Sequence, residues 1–190
     1  RYGRSKLNTT ALNAAAKILH IVDFFLANGN QKTVVKAGAK YYADTDGDGV
    51  FADITGAAVI SSTSLITTEI INNKLIICST GEAPYVYTQT GNIALLGGTP
   101  PNGKFCRVHL GRLWIAGVSS AKYRLYYSQA FDPEQWTTGA GYLDIDPDDG
   151  SKDGITAIFP SFQGDLIVAK VDKLYKIAGF TPNTYKIVPI

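Results

Sequence analysis

A short pattern recurs four times in this chain of 190 residues. In each copy a large apolar residue is followed three positions later by a small residue. The copies start at Val34, Leu75, Leu113 and Leu166, at intervals of 41, 38 and 53 residues. After a polar loop, each copy is followed by an aromatic run: Tyr41-Tyr42, Tyr85-Val86-Tyr87, Tyr126-Tyr127 and Leu174-Tyr175. Constant strands separated by variable loops are typical of a repeat protein.

Strand repeats of about 40 residues predict an all-β fold of the β-propeller type. In that fold each repeat is a four-stranded blade that buries its faces against neighbouring blades. We predict four blades, at about residues 18–56, 64–98, 105–146 and 155–190. A β-sandwich, which also has a strand every dozen or so residues, is the alternative.

The predicted blades have alternating apolar and polar residues in their first strands, which are expected to be innermost. These first strands are Ile18–Leu26, Ser64–Ile71, Phe105–Leu110 and Ile155–Phe162. The second and third strands are the recurring pattern and the aromatic run. The outermost strands are Val50–Ile54, Ile93–Leu96, Tyr142–Asp146 and Tyr185–Val188.

Composition favours strands over helices. The 11 Tyr, 8 Phe and 19 Gly residues suit strands and tight turns, whereas three Glu residues are too few for the solvated faces that helices usually carry. Cys78 and Cys106 fall in predicted interior strands, so each is interpreted as a small buried apolar residue rather than as part of a disulfide framework. No run of 18 apolar residues exists, which predicts no membrane span. The absence of Met, with Arg1 first, favours a piece of a longer protein.

Charge is unevenly distributed, although the formal net charge is only +2. We interpret residues 1–17 as a basic arm that precedes a propeller domain of residues 18–190; a short helix from Thr10 to Lys17 is the alternative. Nine of the sixteen acids lie in two windows, at 44–53 and 144–153. We predict that the arm docks on acidic loops of a neighbouring subunit. The interface candidates are Arg1, Arg4, Lys6, Asp144, Asp146, Asp148, Asp149 and Trp136.

The segment 44–49 resembles the start of a calcium loop. Asp44, Asp46 and Asp48 hold positions 1, 3 and 5, with glycine at position 6, which is how such a loop presents carboxylates to one ion. The twelfth position is Thr55 instead of Glu, and Asp53 lies one residue beyond the acid that propeller calcium loops have. We therefore predict a polar hairpin, no metal and no other cofactor; a calcium site at the three carboxylates is the alternative.

Nothing in the sequence predicts catalysis. The five Asp residues of segment 144–154 suggest the carboxylate pair of a glycosidase, but that chemistry needs one carboxyl in a partly apolar pocket, and these stand beside Gly, Ser and Lys. No Gly-x-Ser-x-Gly, His-Glu-x-x-His or phosphate-binding glycine loop is present. Trp136, on a loop, is interpreted as a plug between blades, with a sugar-stacking platform as the alternative.

Five segments, in order along the chain, resemble a family of bacteriophage tail proteins, the tail nozzle or tail tubular proteins of short-tailed phages. Residues 105–179 carry most of the match. The chain departs from the family at Ala169, where the family often has Phe, and in an insertion at 46–49. The segments are Leu110–Ala116, Arg124–Ser128, Asp132–Trp136, Asp144–Gly150 and Asp165–Lys170.

The resemblance implies a structural component of the virion tail, a nozzle-like ring subunit around the DNA exit channel. Its partners would be other copies of itself, other tail or portal-adaptor proteins, and DNA that passes through the channel during ejection without sequence-specific binding. It would act by assembly, would not be an enzyme, and would belong to a longer chain. The alternatives are a carbohydrate- or host-receptor-binding propeller and a glycan-active enzyme on the same scaffold.

Overall fold

A computed structural model describes residues 10–44, 46–147, 153–162 and 164–190, which form four sheets of four strands. Blade 1 consists of β1 (Ile18–Phe25), β2 (Gln31–Ala37), β3 (Lys40–Asp44) and β4 (Phe51–Asp53). Blade 2 consists of β5 (Ile66–Ile71), β6 (Lys74–Ser79), β7 (Tyr85–Tyr87) and β8 (Ala94–Leu95). Blade 3 consists of β9 (Phe105–His109), β10 (Arg112–Ala116), β11 (Arg124–Tyr127) and β12 (Gly141–Asp144). Blade 4 consists of β13 (Ala157–Phe162), β14 (Asp165–Ala169), β15 (Leu174–Ala178) and β16 (Lys186–Pro189).

Each blade is an antiparallel meander in which the strands follow their order in the sequence. The first strands lie side by side: β1 contacts β5, β5 contacts β9, and β9 contacts β13. The predicted all-β, propeller-like array of four blades is therefore confirmed. The predicted ends of the first and outermost strands are correct to within two residues. For example, β13 begins at Ala157 rather than Ile155. By contrast, β2 begins three residues before the predicted pattern and β15 ends three residues after the predicted aromatic run.

Two-residue turns join the first and second strands of blades 2 and 3. In blade 2 the two turn residues Asn72 and Asn73 have φ of 51° and 58°, and in blade 3 Leu110 and Gly111 have φ of 50° and 69°. Positive φ at both central residues is the geometry of a type I′ turn, whose twist matches that of the flanking strands. Asparagine and glycine adopt this conformation at low cost, which explains Asn72, Asn73 and Gly111, whereas Leu110 is of a residue type that rarely adopts it.

The core is divided into three apolar clusters, one at each junction between blades. The cluster between blades 1 and 2 includes Phe24 and Tyr87, and the cluster between blades 3 and 4 includes Trp114 and Tyr175. Between blades 2 and 3 the cluster is smaller and includes Ile76. Each blade therefore buries its faces against its neighbours, as expected for a propeller-like array.

The alignment of the four repeats needs one correction, in blade 1. Leu75, Leu113 and Leu166 each point toward the preceding blade, because each belongs to the cluster shared with that blade. Val34 belongs to the cluster shared with blade 2, which is the following blade. Successive residues of a strand alternate between its two faces. Val35, rather than Val34, therefore points to the same side of its blade as the three leucines do in theirs.

Residues 10–17, which precede β1, lie over the face of blade 1 that points away from blade 2. It contains a 3₁₀ turn, Leu12–Ala15, where Asn13, Ala14 and Ala15 have positive φ, so the alternative of a helix from Thr10 to Lys17 is wrong. The Asn13 backbone N–H donates to the Tyr42 hydroxyl at 3.1 Å, and its Nδ2 donates to the Ala37 carbonyl at 2.9 Å. These contacts cover the outer half of this face. No helix in the described ranges is long and apolar enough to cross a membrane.

Candidate interaction surfaces

Polar side chains connect the blades near the centre of the array. Arg107 in β9 pairs with Glu69 of β5 at 2.6 Å and donates through Nε to the carbonyl of Ile158 in β13 at 3.1 Å. Glu69 also accepts from the backbone N–H of Val108 at 3.3 Å. One guanidinium therefore connects three consecutive blades, and the partners on both sides hold it in a single orientation.

The loop 129–136 of blade 3 clamps blade 2 at the outer part of the junction between blades 2 and 3. Glu134 pairs with Lys74 of β6, and the Phe131 carbonyl accepts from Asn72 in the β5–β6 turn. Trp136 packs partly buried against the cluster between blades 2 and 3, and its Nε1 donates to the Pro133 carbonyl at 2.8 Å. This is the position of a plug between blades.

Two buried lysines hold the loops that link successive blades. Lys36 is 1% exposed and donates to the carbonyls of Ser61 and Ser64, at 2.9 and 2.6 Å, in the link from blade 1 to blade 2. Burial lowers the pKa of Lys36. Lys170 is 3% exposed and donates to the Asp146 carbonyl at 3.0 Å in the link from blade 3 to blade 4. Carbonyl acceptors satisfy both ammonium groups, so these lysines have structural partners.

The acidic interface candidates that the structure describes already have partners within the chain. Asp144 accepts from Arg124 Nε and Nη2 at 2.8 and 3.1 Å, and this bidentate contact lowers the pKa of the Asp144 carboxyl. Asp146 accepts from the Tyr175 hydroxyl at 2.9 Å. The remaining candidates lie outside the described residues: Arg1, Arg4, Lys6, Asp148 and Asp149. The predicted docking of the arm on the acidic loops therefore stays a prediction.

An arginine and a tyrosine form an exposed pair on the outer strands of blade 3. The Arg124 guanidinium lies 3.6 Å from the ring centroid of Tyr142, which is 51% exposed. The Arg124–Asp144 pair borders a cavity of about 290 Å³ that Tyr123 and Pro147 also line. No local sequence pattern indicates this group, because Arg124 meets Asp144 and Tyr142 only through the register between β11 and β12.

The loop 44–49 uses its first carboxylate as a backbone cap. Asp44 is 4% exposed and accepts from the backbone N–H groups of Asp46, Gly47 and Gly49, at 3.3, 2.8 and 3.0 Å. Asp48 accepts from the N–H of Val50 at 2.7 Å. Within residues 10–44, 46–147, 153–162 and 164–190, no three His, Cys, Asp or Glu side chains are grouped closely enough to hold a metal ion.

Blade 4 presents a largely apolar face on the side away from blade 3. Phe159, Ile167, Lys176 and Val188 are paired in one row across the four strands. They alternate with the residues that face blade 3, so they point the other way. Phe159 is 46% exposed, and Leu174, in the next row of the same face, is 44% exposed. Among the described residues of this face, Lys176 and Asp165 form the only ion pair, with 2.9 Å between Nζ and Oδ2.

Blade 1 presents the complementary end of the array. On its face away from blade 2, the innermost strand exposes Ile21 (62%) and Phe25 (58%). Val35 and Tyr42 of the same face are buried, beside the segment that contains the 3₁₀ turn. The sequence analysis did not identify either end face. A signal was present in β14, where Leu166–Ala169 is apolar at every position and therefore on both faces.

The fold defines the class of the chain, a propeller-like array of antiparallel blades, and comparison with solved structures agrees with it. The chain is similar to the extracellular domain of a hybrid two-component system from B. thetaiotaomicron, with a TM-score of 0.63 and 12% identity, over 94% of this chain and 22% of that one. A second structure of the extracellular domain of the same protein, described there as a one-component system, gives a TM-score of 0.61 and 14% identity, over 92% of this chain and 22% of that one. The chain thus spans about a fifth of the length of these extracellular domains.

The computationally designed Ika4 protein is similar over 99% of both chains, with a TM-score of 0.54 and 14% identity. No protein-family model matches the sequence, and no curated protein matches it significantly. At these identities the similarity concerns the fold alone.

Proposed function

We propose that the chain is a structural component of a bacteriophage virion tail, a nozzle-like ring subunit that acts by assembly rather than by catalysis. The proposal combines the order of tail-protein segments in residues 110–170 with a four-bladed array whose two end faces expose apolar side chains. Its partners are copies of itself, neighbouring tail or portal-adaptor proteins, and DNA passing through the channel.

The observation that carries the proposal is the apolar face of blade 4. Inside the chain, the equivalent faces of blades 1, 2 and 3 are each covered by the next blade. The face of blade 4 has the same chemistry, with Phe159 and Leu174 nearly half exposed. We infer that this face binds the end face of blade 1 in a neighbouring subunit, around Ile21 and Phe25. Contacts between two different faces lead to a ring when the rotation closes.

The assembly test changes Phe159 and Leu174 to Lys together. Each lysine would have to bury an ammonium in the contact between subunits, so we expect the double variant to remain monomeric. The measurement is the molar mass by light scattering after size-exclusion chromatography, with negative-stain microscopy for rings. A control variant carries Lys at Val59 and Leu95, which are 85% and 62% exposed and lie away from both end faces.

The control is expected to assemble like the unmodified chain. Assembly of the Phe159 and Leu174 variant to the same mass would overturn the assignment of this face. The location is tested separately: mass spectrometry and antibody labelling of purified phage particles are expected to find the chain at the tail. Its absence from virions would refute the tail function, whatever the result with end-face variants.

A glycan-binding module is a second candidate, favoured by the exposed Arg124–Tyr142 pair. An exposed ring beside an arginine, a carboxylate and a cavity of about 290 Å³ offers a stacking surface and hydrogen-bonding groups for a sugar. Glycan-array binding that Tyr142→Ala abolishes and Tyr126→Ala retains would favour this candidate over assembly. Trp136 does not offer such a surface, because it packs between blades 2 and 3.

A further inference from the structure

The two cysteines of the chain point into the same junction, between blades 2 and 3. Cys78 in β6 is 0% exposed and Cys106 in β9 is 1% exposed, and both belong to the apolar cluster of that junction as free thiols. They lie on different blades, 28 positions apart in the sequence. A bond between them would therefore connect two blades that only non-covalent contacts and the linking chain otherwise join.

Thr67 lies beside both cysteines, which places the two cysteines close to each other. Thr67 is the direct partner of Cys78 in the β5–β6 register. On the other side, Thr67 Oγ1 lies 3.4 Å from Cys106 Sγ and accepts from the Cys106 backbone N–H at 3.0 Å. Cys106 Sγ is also 3.4 Å from the Thr67 carbonyl. The neighbouring Cys106 thiol, together with burial, also raises the pKa of the Cys78 thiol.

The junction between blades 2 and 3 also has the smallest apolar cluster among the described residues. Its apolar cluster contains eight buried residues, against thirteen between blades 1 and 2 and eleven between blades 3 and 4. Two ion pairs, Glu69–Arg107 and Lys74–Glu134, supplement it. Both pairs are partly exposed, and such pairs contribute little each. This junction separates the array into two halves of two blades.

We propose that Cys78 and Cys106 form a disulfide that joins blades 2 and 3 when the protein folds in the presence of a low-molecular-weight disulfide. One cysteine thiolate attacks a sulfur of the small disulfide, forming a mixed disulfide and releasing one small thiolate. The second cysteine thiolate attacks the protein sulfur of that mixed disulfide and releases the other small thiolate. Two electrons and two protons thus pass from the cysteines to the oxidant. Because both thiols are buried in the folded protein, the reaction takes place before the junction closes.

The test refolds the unfolded chain either with oxidised and reduced glutathione or with reduced glutathione alone. Free thiols are then alkylated under denaturing conditions and counted by mass spectrometry. We expect no alkylation and a loss of two hydrogen masses after oxidative refolding, and two alkylated thiols after reductive refolding. The oxidised form is expected to melt several degrees higher, because the bond restricts the unfolded chain.

Cys78→Ser and Cys106→Ser are the matched controls, each expected to melt at the same temperature under both refolding conditions. Three outcomes would overturn the proposal: two alkylatable thiols after oxidative refolding, a stable mixed disulfide with glutathione, or a disulfide between chains that no longer forms when refolding is done at lower protein concentration. The thiol count is made on the unmodified sequence, so the test holds even if a serine variant fails to fold.

Discussion

Gly98 is a position where a single methyl group would collide with a neighbouring blade. A Cβ there would lie 1.6 Å from the carbonyl oxygen of Glu134, in the loop that clamps blade 2 to blade 3. Gly47 has a similar backbone, with φ of +74° against +76°, but nothing lies within 4 Å of its Cβ position. We expect Gly98→Ala to destabilise the fold by about 3 kcal/mol or more, and Gly47→Ala by about 1 kcal/mol from backbone strain alone.

Chemical denaturation of the two alanine variants measures this difference directly. Because the backbone cost is nearly the same at both positions, the excess loss in Gly98→Ala reports the packing of the loop 129–136 on blade 2. Equal losses would show that this loop moves aside freely and does not clamp the junction.

His109 makes the stability of the fold depend on pH. It is 4% exposed, its ring lies 6.3 Å from that of Trp114, and its Nε2 has no hydrogen-bond partner within the described part of the chain. Burial lowers the pKa of His109, and the opposing influence of Asp165 is smaller. The unfolded chain therefore binds this proton first as the pH falls. The contribution to stability is complete above about pH 6.5 and is lost as the pH drops through the lower pKa of the folded state.

We expect the melting temperature of the unmodified chain to fall between pH 7.5 and pH 5.5, and His109→Phe to show a smaller fall. Phenylalanine retains a ring beside Trp114 but cannot be protonated. His20, whose pKa is also lowered by burial, remains in both proteins and accounts for part of the common change. An identical pH dependence in the two proteins would contradict the role of His109.

The second strand of each blade has buried residues on both faces, so a charged substitution there puts a charge in the protein interior. Leu113 in β10 is 0% exposed and belongs to the cluster between blades 2 and 3. We expect Leu113→Asp to abolish soluble folding, because burying an unpaired carboxylate costs several kcal/mol and a domain has roughly 5–15 kcal/mol in total. Leu166→Asp is expected to do the same in the next junction, where Leu166 is also 0% exposed.

Circular dichroism and solubility of the purified variants measure the outcome. Val59→Asp is the control, since Val59 is 85% exposed and its change is expected to leave the melting temperature nearly unaltered. A folded Leu113→Asp variant with an unchanged melting temperature would refute the assignment of β10 to the interior.

Strands and blade order could be predicted from the sequence because both are local properties. Alternation and turn residues, such as Asn28-Gly29-Asn30 after β1, set the start and end of each strand. The facing of β2 could not be predicted in this way. Val34 and Val35 are both apolar and both buried, one toward blade 2 and one on the opposite face, so alternation does not distinguish them.

The contacts that define the candidate surfaces depend on packing between distant segments. Glu69 and Arg107 are 38 positions apart and meet only because β5 and β9 are adjacent in the array. The end faces depend on which blades have a neighbour, which no local pattern encodes. By contrast, the position of Trp136 between blades followed from its place on a loop after an aromatic strand.

At the scale of the whole molecule, the loop 44–49 is expected to keep its conformation without a bound metal ion. Asp44 already accepts three backbone hydrogen bonds, which is the usual work of a turn cap. We expect a chelator to leave the melting temperature unchanged, and Asp44→Ala to lower it by removing those acceptors. A drop of several degrees with chelator that calcium reverses would show that Asp44, Asp46 and Asp48 bind the ion.

Blades 2 and 3 are expected to be the most stable part of the monomeric chain. In a stacked array each blade is stabilised by its neighbours. Among the described residues, blades 1 and 4 each share an apolar cluster with one other blade, whereas blades 2 and 3 each share clusters with two. Hydrogen exchange followed by mass spectrometry should therefore show slower exchange in β6 and β10 than in β14 and β15. If subunits assemble through their end faces, β14 and β15 become protected on assembly, and the Phe159 and Leu174 double lysine variant loses that added protection. Equal protection of all four blades in the monomer would mean that blade 4 already has a partner within its own chain, and the ring contact would then have to use another surface.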